Sequence, residues 1–263
     1  KPEGIKVTTL SADPARVQVT VDDSTADGAE AAIELLDGET VVASAEGFAA
    51  ELFVPDAKLW SSTSPSLYTV RVTLTKDGTA LDVAEDTFGI RSLAWSAENG
   101  LQVNGKTVKL RGGCIHHDHG ILGAASYDEA EYRRVRKLKE FGFNAIRYSH
   151  NPAGKNFLRI CDELGMYVID ESFDQWKVPQ TTHDYANYFD TEWQKDIASL
   201  VSKDYNHPCV ILYGIGNEIT DTGLSFGSKL CQGIAAYTKA LDPTRPTMVA
   251  FNSMLCTIAA MKE

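Results

Sequence analysis

The fold of this chain is decided by the segment Val-Ile-Leu-Tyr-Gly-Ile-Gly-Asn-Glu at residues 210–218. Its first part, residues 210–213, is a continuous apolar run, which predicts a strand buried on both faces, as in parallel sheets. The segment then passes through two glycines and ends in Asn217 and Glu218. In a (β/α)8 barrel the catalytic groups lie at the C-terminal ends of the strands, so Glu218 is a candidate acid, base or nucleophile. The alternative is that Glu218 only caps or begins the following helix.

The composition is that of a globular protein with two domains. The 263 residues exceed one typical domain, and 43% are hydrophobic and 23% charged. A net charge of −11 argues against nucleic acid and membrane surfaces as partners, because phosphate binding needs clustered Lys and Arg, whereas a neutral sugar is compatible with it. The sequence contains no apolar run of about 18 residues, which is the length that would predict a membrane span. The chain begins with Lys1 rather than Met, so we expect an excerpt of a longer protein.

The cysteines predict buried free thiols. Their number is odd and no Cys-x-x-Cys spacing occurs, which argues against a disulfide framework or a zinc site. The five are Cys114, Cys161, Cys209, Cys231 and Cys256.

Residues 1–91 alternate apolar and polar side chains with a period of two, which predicts β-strands. Asp-Gly pairs at 27–28, 37–38 and 77–78 separate the runs and favour tight hairpin turns. About seven short strands in this length indicate an immunoglobulin-like sandwich with a structural role.

After Trp95 strands and helices alternate, which predicts a parallel sheet covered by helices. Five βα steps over residues 92–263 are fewer than the eight of a closed barrel, so we expect a truncated (β/α)8 TIM barrel. The predicted strands are a strand end at 110–112 and strands at 143–148, 166–170, 210–214 and 247–251. Four helices are predicted. The first opens at a Ser126-x-x-Glu129 capping box and the second starts at Asn151-Pro152. The third carries Trp193, Ile197 and Leu200, and the fourth spans about 225–240.

Polar side chains follow four of these strands, where a core would not tolerate them unpaired. Histidines, an amide and carboxylates that converge at one end of a barrel are suited to bind a polyhydroxylated ligand. The groups are His116, His117, Asp118 and His119, then Arg147, Ser149, His150 and Asn151, then Asp170, Glu171 and Asp174, and finally Asn217 and Glu218.

Two alternatives remain for these side chains. His116, His117 and His119 could bind zinc, but adjacent residues of an extended segment point in opposite directions, so we favour no metal. A structural hydrogen bond is the alternative for each histidine, and we favour ligand contact for His150.

Residues 172–190 form a long predicted loop rich in aromatic side chains, including Trp176. The rings either offer flat faces to a sugar or cover the rim of the barrel. We select Trp176 as the substrate-binding candidate of this loop.

Four ordered blocks, at residues 110–120, 144–152, 167–172 and 206–218, resemble the family 2 glycoside hydrolases. This family includes β-galactosidases, β-glucuronidases and β-mannosidases. Residues 59–91 resemble its immunoglobulin-like middle domain, so the resemblance covers nearly the whole chain.

The resemblance implies a role for each candidate residue. Glu218 matches the general acid/base of the family, and Asn217 matches the residue that hydrogen-bonds the sugar 2-hydroxyl. His116 and His150 match histidines that line the subsite of the cleaved sugar, and Arg147 matches an arginine that supports the same face. Asp170 and Glu171 match positions that support the site without taking part in catalysis.

The resemblance also implies what this chain lacks. Retaining glycosidases use two carboxyl groups about 5 Å apart. The family's nucleophile lies at the end of the seventh strand, so we expect the present piece to be inactive alone. Gln175 and Lys177 stand where Mg²⁺-binding members have Glu and His, so we expect no metal and no cofactor. We expect a β-galactoside rather than a β-glucuronide as the substrate, because no Lys motif suited to a sugar carboxylate is present.

The rival hypothesis is a carbohydrate-binding or assembly module without chemistry. A fifth strand with an unpaired edge also predicts self-association into a homo-oligomer.

Overall fold

The computed structural model describes residues 3–22 and 28–261. Asp27, part of the predicted turn at 27–28, lies outside the described residues. The chain forms two compact units. One unit extends to Lys109 and also includes Cys161–Gly165 and Tyr205–Cys209; the other contains Leu110–Ile160, Met166–Asp204 and the residues from Val210 onward. The domain boundary after residue 91 stays a prediction.

The first unit contains the predicted sandwich. Its seven strands are β1 (Ile5–Ala12), β2 (Ala15–Val21), β3 (Glu30–Asp37), β4 (Thr40–Glu46), β5 (Ala49–Phe53), β6 (Tyr68–Lys76) and β7 (Thr79–Phe88). They form two antiparallel sheets with the orders β1-β2-β5 and β4-β3-β6-β7. Alternate apolar side chains from both sheets, such as Val17 and Val19 opposite Ile33 and Val70, are fully buried in one core. The sandwich prediction is confirmed.

The turn at Asp77–Gly78 also forms as predicted. Both residues have positive φ angles, of 51° and 74°, which is the conformation of a tight hairpin turn between β6 and β7. A small sheet formed by the residues that follow the sandwich in the chain was not predicted. It consists of β8 (Leu93–Ser96), β9 (Gly100–Val103) and β10 (Lys106–Thr107). These strands are too short to give a period-two signal.

The second unit is built on a five-stranded parallel sheet whose strands follow chain order. The strands are β11 (Gly112–Ile115), β12 (Ala145–Tyr148), β13 (Tyr167–Glu171), β14 (Val210–Asn217) and β15 (Thr247–Ala250). The helices are α1 (Asp128–Glu140), α2 (Lys155–Leu164), α3 (Ala186–Asp204), α4 (Gly227–Leu241) and α5 (Ser253–Ala260), of which α2 has its last residues, from Cys161, in the first unit. This partial (β/α)8 barrel is the predicted architecture. Helix α5 was missed.

The capping box predicted at Ser126 is wrong. Tyr127 is the N-cap of α1 and makes no side-chain capping bond. Ser126 Oγ instead donates to Oε1 of Glu131 at 2.8 Å. The Glu131 side chain is buried, and a buried carboxylate needs hydrogen-bond donors, so the hydroxyl is used there. The strand end predicted at 110–112 was also wrong, because β11 begins at Gly112.

Two other helix starts differ from the prediction, one later in the chain and one earlier. Helix α2 begins at Lys155 rather than at Pro152, because the Ala153 N–H donates to Oδ1 of Asp170 at 2.9 Å. Helix α3 begins at Ala186, which shortens the predicted loop of 172–190 to 172–185.

All five cysteines are free thiols, of which Cys161 and Cys209 are buried and Cys114 is exposed. Among residues 3–22 and 28–261, no helix has both the length and the apolar character needed to cross a membrane.

Candidate active site

Glu218 lies directly after β14, at the C-terminal end of the parallel sheet. Its backbone N–H donates to the Ala250 carbonyl at 2.8 Å, and its φ angle is +48°, in the left-handed region that non-glycine residues rarely adopt. Its side chain is exposed. Ile219 is the N-cap of the short 3₁₀ turn Thr220–Gly223, and α4 starts only at Gly227. Glu218 therefore neither caps nor begins the next helix.

The side-chain amide of Asn217 is held in one orientation. Its Oδ1 accepts a hydrogen bond from Nη2 of Arg147 at 2.9 Å, and its Nδ2 donates to Oδ1 of Asp174 at 3.0 Å. A guanidinium can only donate and a carboxylate can only accept, so reversing the amide would break both bonds. The backbone N–H of Asn217 also donates to the Phe173 carbonyl at 3.0 Å.

Arg147 and Glu171 form the central ion pair of the cluster. Arg147 Nη2 donates to Oε1 of Glu171 at 2.8 Å, and Arg147 Nε is paired with Oε2. Burial lowers the pKa of Arg147, but Glu171 and, to a smaller extent, Cys114 more than offset this effect, and the net shift is upward. The guanidinium therefore stays charged and donates at once to Glu171 and Asn217.

The two candidate histidines adjoin this ion pair. His150 Nδ1 lies 3.2 Å from Oε1 of Glu171. The His116 ring meets the His150 ring edge to face, with centroids 5.0 Å apart. One continuous series of contacts thus runs from His116 through His150, Glu171 and Arg147 to Asn217, the neighbour of Glu218. We call these six residues the strand-end cluster.

Trp176 lies apart from this arrangement. Its side chain has no exposed surface, and its indole N–H donates to the Ile215 carbonyl at 2.8 Å. The rings of Phe173, Tyr185 and Phe189 pack against one another with centroid distances of 5.2 to 6.2 Å. These contacts favour the alternative in which the aromatic side chains cover the rim. The substrate contact assigned to Trp176 stays a prediction.

The other two histidines have structural partners. His117 packs edge to face on the Tyr148 ring and lies 3.3 Å from the Pro152 carbonyl through Nε2. His119 Nε2 lies 2.9 Å from Oε1 of Glu131. In the described part of the chain, no three His, Cys, Asp or Glu side chains are arranged to hold a metal ion. Lys177 is paired with Asp190 at 2.7 Å.

Two carboxylates differ from what the sequence suggested. Asp170 was grouped with Glu171, but successive residues of a strand face opposite sides of the sheet, and Asp170 points to the helix layer, where it meets Lys203 at 3.0 Å. Asp174 was noted at the strand end but given no role, and it is the partner that fixes Asn217.

A cavity of about 630 Å³ adjoins the cluster beside β11 and α1, and its walls include His116, Cys114 and Arg134. This volume is in the range of small-molecule sites. Glu218 does not line it.

The comparisons with known proteins agree with this architecture. Residues 97–261 match the family "Glycosyl hydrolases family 2, TIM barrel domain", and residues 4–91 match "Glycosyl hydrolases family 2". The chain is 34% identical over 258 residues to Beta-galactosidase BoGH2A of Bacteroides ovatus. The alignment covers 86% of this chain and 30% of that protein.

Solved structures are similar over nearly the whole chain. A family 2 glycosyl hydrolase from Bacteroides cellulosilyticus superposes with a TM-score of 0.90 at 39% identity, over 100% of this chain and 36% of that one. An FMN-binding β-glucuronidase from Facaelibacterium prausnitzii superposes with a TM-score of 0.83 at 31% identity, over 95% and 40%. The chain thus spans about a third of the length of these relatives. Because the barrel-domain match alone covers well over half of its residues, this chain belongs to glycosyl hydrolase family 2.

Proposed function

We propose that this chain carries the acid/base half of a retaining exo-β-glycosidase, with a β-galactoside as the substrate. The observation that supports this most directly is the strand-end cluster, in which Arg147 joins the Asn217–Glu218 strand end to Glu171 and His150. The membership in family 2 and the named β-galactosidase relative agree with the proposal.

In the proposed mechanism Glu218 acts twice. It first donates a proton to the oxygen of the glycosidic bond, so that the aglycone leaves as an alcohol while the nucleophilic carboxylate forms an ester with the sugar. It then removes a proton from the water that opens this ester. We propose that the nucleophile comes from a part of the complete enzyme outside this sequence, at about 5 Å from Glu218.

Four other cluster residues bind the sugar and do not react, and Glu171 supports them. An amide nitrogen carries two hydrogens, and Asp174 takes one of those on Asn217, so the second can be donated to the sugar 2-hydroxyl. His116, His150 and Arg147 line the same subsite. The cluster favours a neutral sugar, because its cation Arg147 is already paired with Glu171 and would have to leave it to bind a uronate.

The test compares substrates that differ in their need for acid catalysis. Glu218→Gln in the complete enzyme should slow hydrolysis of lactose, whose leaving alcohol needs protonation, far more than the first step on dinitrophenyl β-galactoside, whose leaving group does not. Equal losses on both substrates would contradict the role of Glu218. Greater activity on nitrophenyl β-glucuronide than on the β-galactoside would contradict the substrate.

The alternative is a carbohydrate-binding or assembly module, and the unpaired edges of the outer strands support this hypothesis. Among the described strands, β11 pairs only with β12 and β15 only with β14, so each has a side on which another chain could add. This hypothesis predicts sugar binding or dimerisation that survives Glu218→Gln. Sedimentation of the present chain as a single monomeric species would contradict the proposed self-association.

A further inference from the structure

Lys203, close to the end of α3, lies between two buried carboxylates on the helix side of the sheet. Its Nζ donates to Oδ2 of Asp170 at 3.0 Å and is paired with Oδ1 of Asp204. The side chains of Asp170 and Asp204 have no exposed surface, and that of Lys203 keeps 15%. We call these three residues the buried triad. Buried ion pairs contribute little net stability, so the triad calls for another explanation.

The charges of the triad favour a lasting bond between Lys203 and Asp170. Burial lowers the pKa of Lys203, but the two carboxylates together raise it above its usual range, so the ammonium stays charged. Burial raises the pKa of Asp204 to about 7, so this carboxyl takes up a proton near neutrality and then attracts Lys203 less strongly. Oδ2 of Asp204 is buried without a hydrogen-bond partner among the described residues.

The surroundings of the triad hold another ion pair. Arg245 donates to the backbone carbonyl of Asp204 at 3.4 Å, but its own ionic partner is Asp242 at 2.5 Å. Asp242 also accepts from the Tyr213 hydroxyl at 3.0 Å. Among the side chains of residues 3–22 and 28–261, Lys203 is therefore the cation that pairs with Asp170.

The second oxygen of Asp170 reaches the backbone that carries the strand-end cluster. Oδ1 accepts from the N–H of Ala153 at 2.9 Å and from the N–H of Glu171 at 3.0 Å. Ala153 lies three residues after His150, and Glu171 is the carboxylate that His150 and Arg147 contact. One carboxylate thus fixes both backbone segments that bring His150 and Glu171 together.

We propose that Lys203 is a positioning residue of the candidate active site. By holding Oδ2 of Asp170 from behind the sheet, it orients the carboxylate whose Oδ1 fixes the backbone at Ala153 and Glu171. In this way it sets the contact between His150 and Glu171 without touching substrate. The catalytic consequence rests on the proposed function, whereas the structural consequence does not.

The structural consequence can be measured by nitrogen NMR of the labelled imidazoles. His150→Gln identifies the His150 resonances. When Glu171 accepts from Nδ1, that nitrogen keeps its proton, and the ring shows one protonated and one unprotonated nitrogen. In Lys203→Met we expect these two resonances to move towards the averaged positions of an imidazole that exchanges between tautomers. Lys203→Arg should restore the separated pair. Lys195→Met, on the same helix with 73% of its side chain exposed, should leave it unchanged.

A second variant guards against loss of folding. Lys203→Met leaves two buried carboxylates without a cation, so we combine it with Asp204→Asn, which removes one of them. Folding is checked by circular dichroism and by unchanged resonances of His207. Unchanged His150 resonances in either folded variant would overturn the proposal, and so would unfolding of both variants, because the triad would then serve general stability.

The activity of the complete enzyme separates this inference from the proposed function. Lys203→Met should lower kcat on nitrophenyl β-galactoside about tenfold or more, because a displacement of about 1 Å in a positioned group has effects of this size. If the wild-type enzyme hydrolyses no β-glycoside while the His150 resonances respond to Lys203, the proposed function fails and the positioning role stands.

Discussion

Gly214 of β14 lies directly against Glu171 of β13, its partner in the parallel register. A Cβ atom on Gly214 would lie 2.2 Å from Cγ of Glu171, a distance that no real contact allows. The absence of a side chain at Gly214 therefore makes room for the carboxylate that binds Arg147 and His150.

Gly214→Ala should displace Glu171 and so disturb the strand-end cluster. The expected destabilisation is about 1–3 kcal/mol, the usual effect of overpacking a core, and it can be measured by urea unfolding. The matched control is Gly233→Ala in α4, where a Cβ would meet nothing within 4 Å. This helical replacement should stabilise by about 0.5–1 kcal/mol. A Gly214→Ala variant as stable as wild type, with His150 resonances unchanged, would contradict the assignment.

Asp174 should govern how much the enzyme gains from the sugar 2-hydroxyl. Asp174→Leu removes the acceptor for Nδ2 of Asn217, so only the bond from Arg147 still orients the amide. We expect the ratio of kcat/KM between a β-galactoside and its 2-deoxy analogue to shrink about fivefold to tenfold, the range for one hydrogen bond. Asp174→Asn keeps an acceptor oxygen and should retain most of the ratio. If Asp174→Leu lowers kcat/KM equally for both sugars, Asp174 acts on something other than Asn217.

Much of the candidate site could be predicted because its residues lie at the ends of strands or just after them. The apolar run before Asn217 and Glu218 gave the position of β14, and strand ends of a parallel sheet meet at one edge, which brings in His116, Arg147 and His150. The two-residue repeat of a β-strand also separates Asp170 from Glu171, since neighbouring residues of a strand face opposite sides of the sheet.

Other features depend on tertiary contacts that no local pattern shows. The sequence shows Trp176 only as an aromatic residue of a loop, whereas in the structure its ring has no exposed surface and its N–H is bonded to the Ile215 carbonyl. The two ends of the block at residues 206–218 belong to different parts of the structure. Its last residues carry the strand-end cluster, whereas its first residues belong with the sandwich unit.

Asn206, at the start of that block, should be a stability residue of the first unit. Its Oδ1 accepts from the Val7 N–H at 2.8 Å, and its Nδ2 donates to the Ile5 carbonyl at 2.8 Å and to Oδ2 of Asp86 at 2.7 Å. Asn206→Ala leaves these three groups without their partner, and we expect a loss of about 2–4 kcal/mol in urea unfolding. Asn99→Ala, at an exposed position, is the control and should change the stability by less than about 0.5 kcal/mol. A loss for Asn206→Ala no larger than that of the control would show that water replaces these bonds.

Asp204 should make the stability of the protein depend on pH between about 4 and 7. Burial raises its pKa from 3.8 to about 7, so the folded state binds a proton that the unfolded state has released over this interval. Its contribution to stability is fully present below pH 3.8 and is lost as the pH rises through 7, with a slope of up to about 1.4 kcal/mol per pH unit. Asp204→Asn cannot release this proton, so the difference in the free energy of unfolding between variant and wild type should change steadily across the interval, in favour of the variant at the higher pH. Asp82→Asn, on exposed β7, should run parallel to wild type in the same urea titrations. If the Asp204→Asn curve also stays parallel to wild type from pH 4 to 7, then Asp204 is ionised throughout this interval, and Lys203 holds its charge.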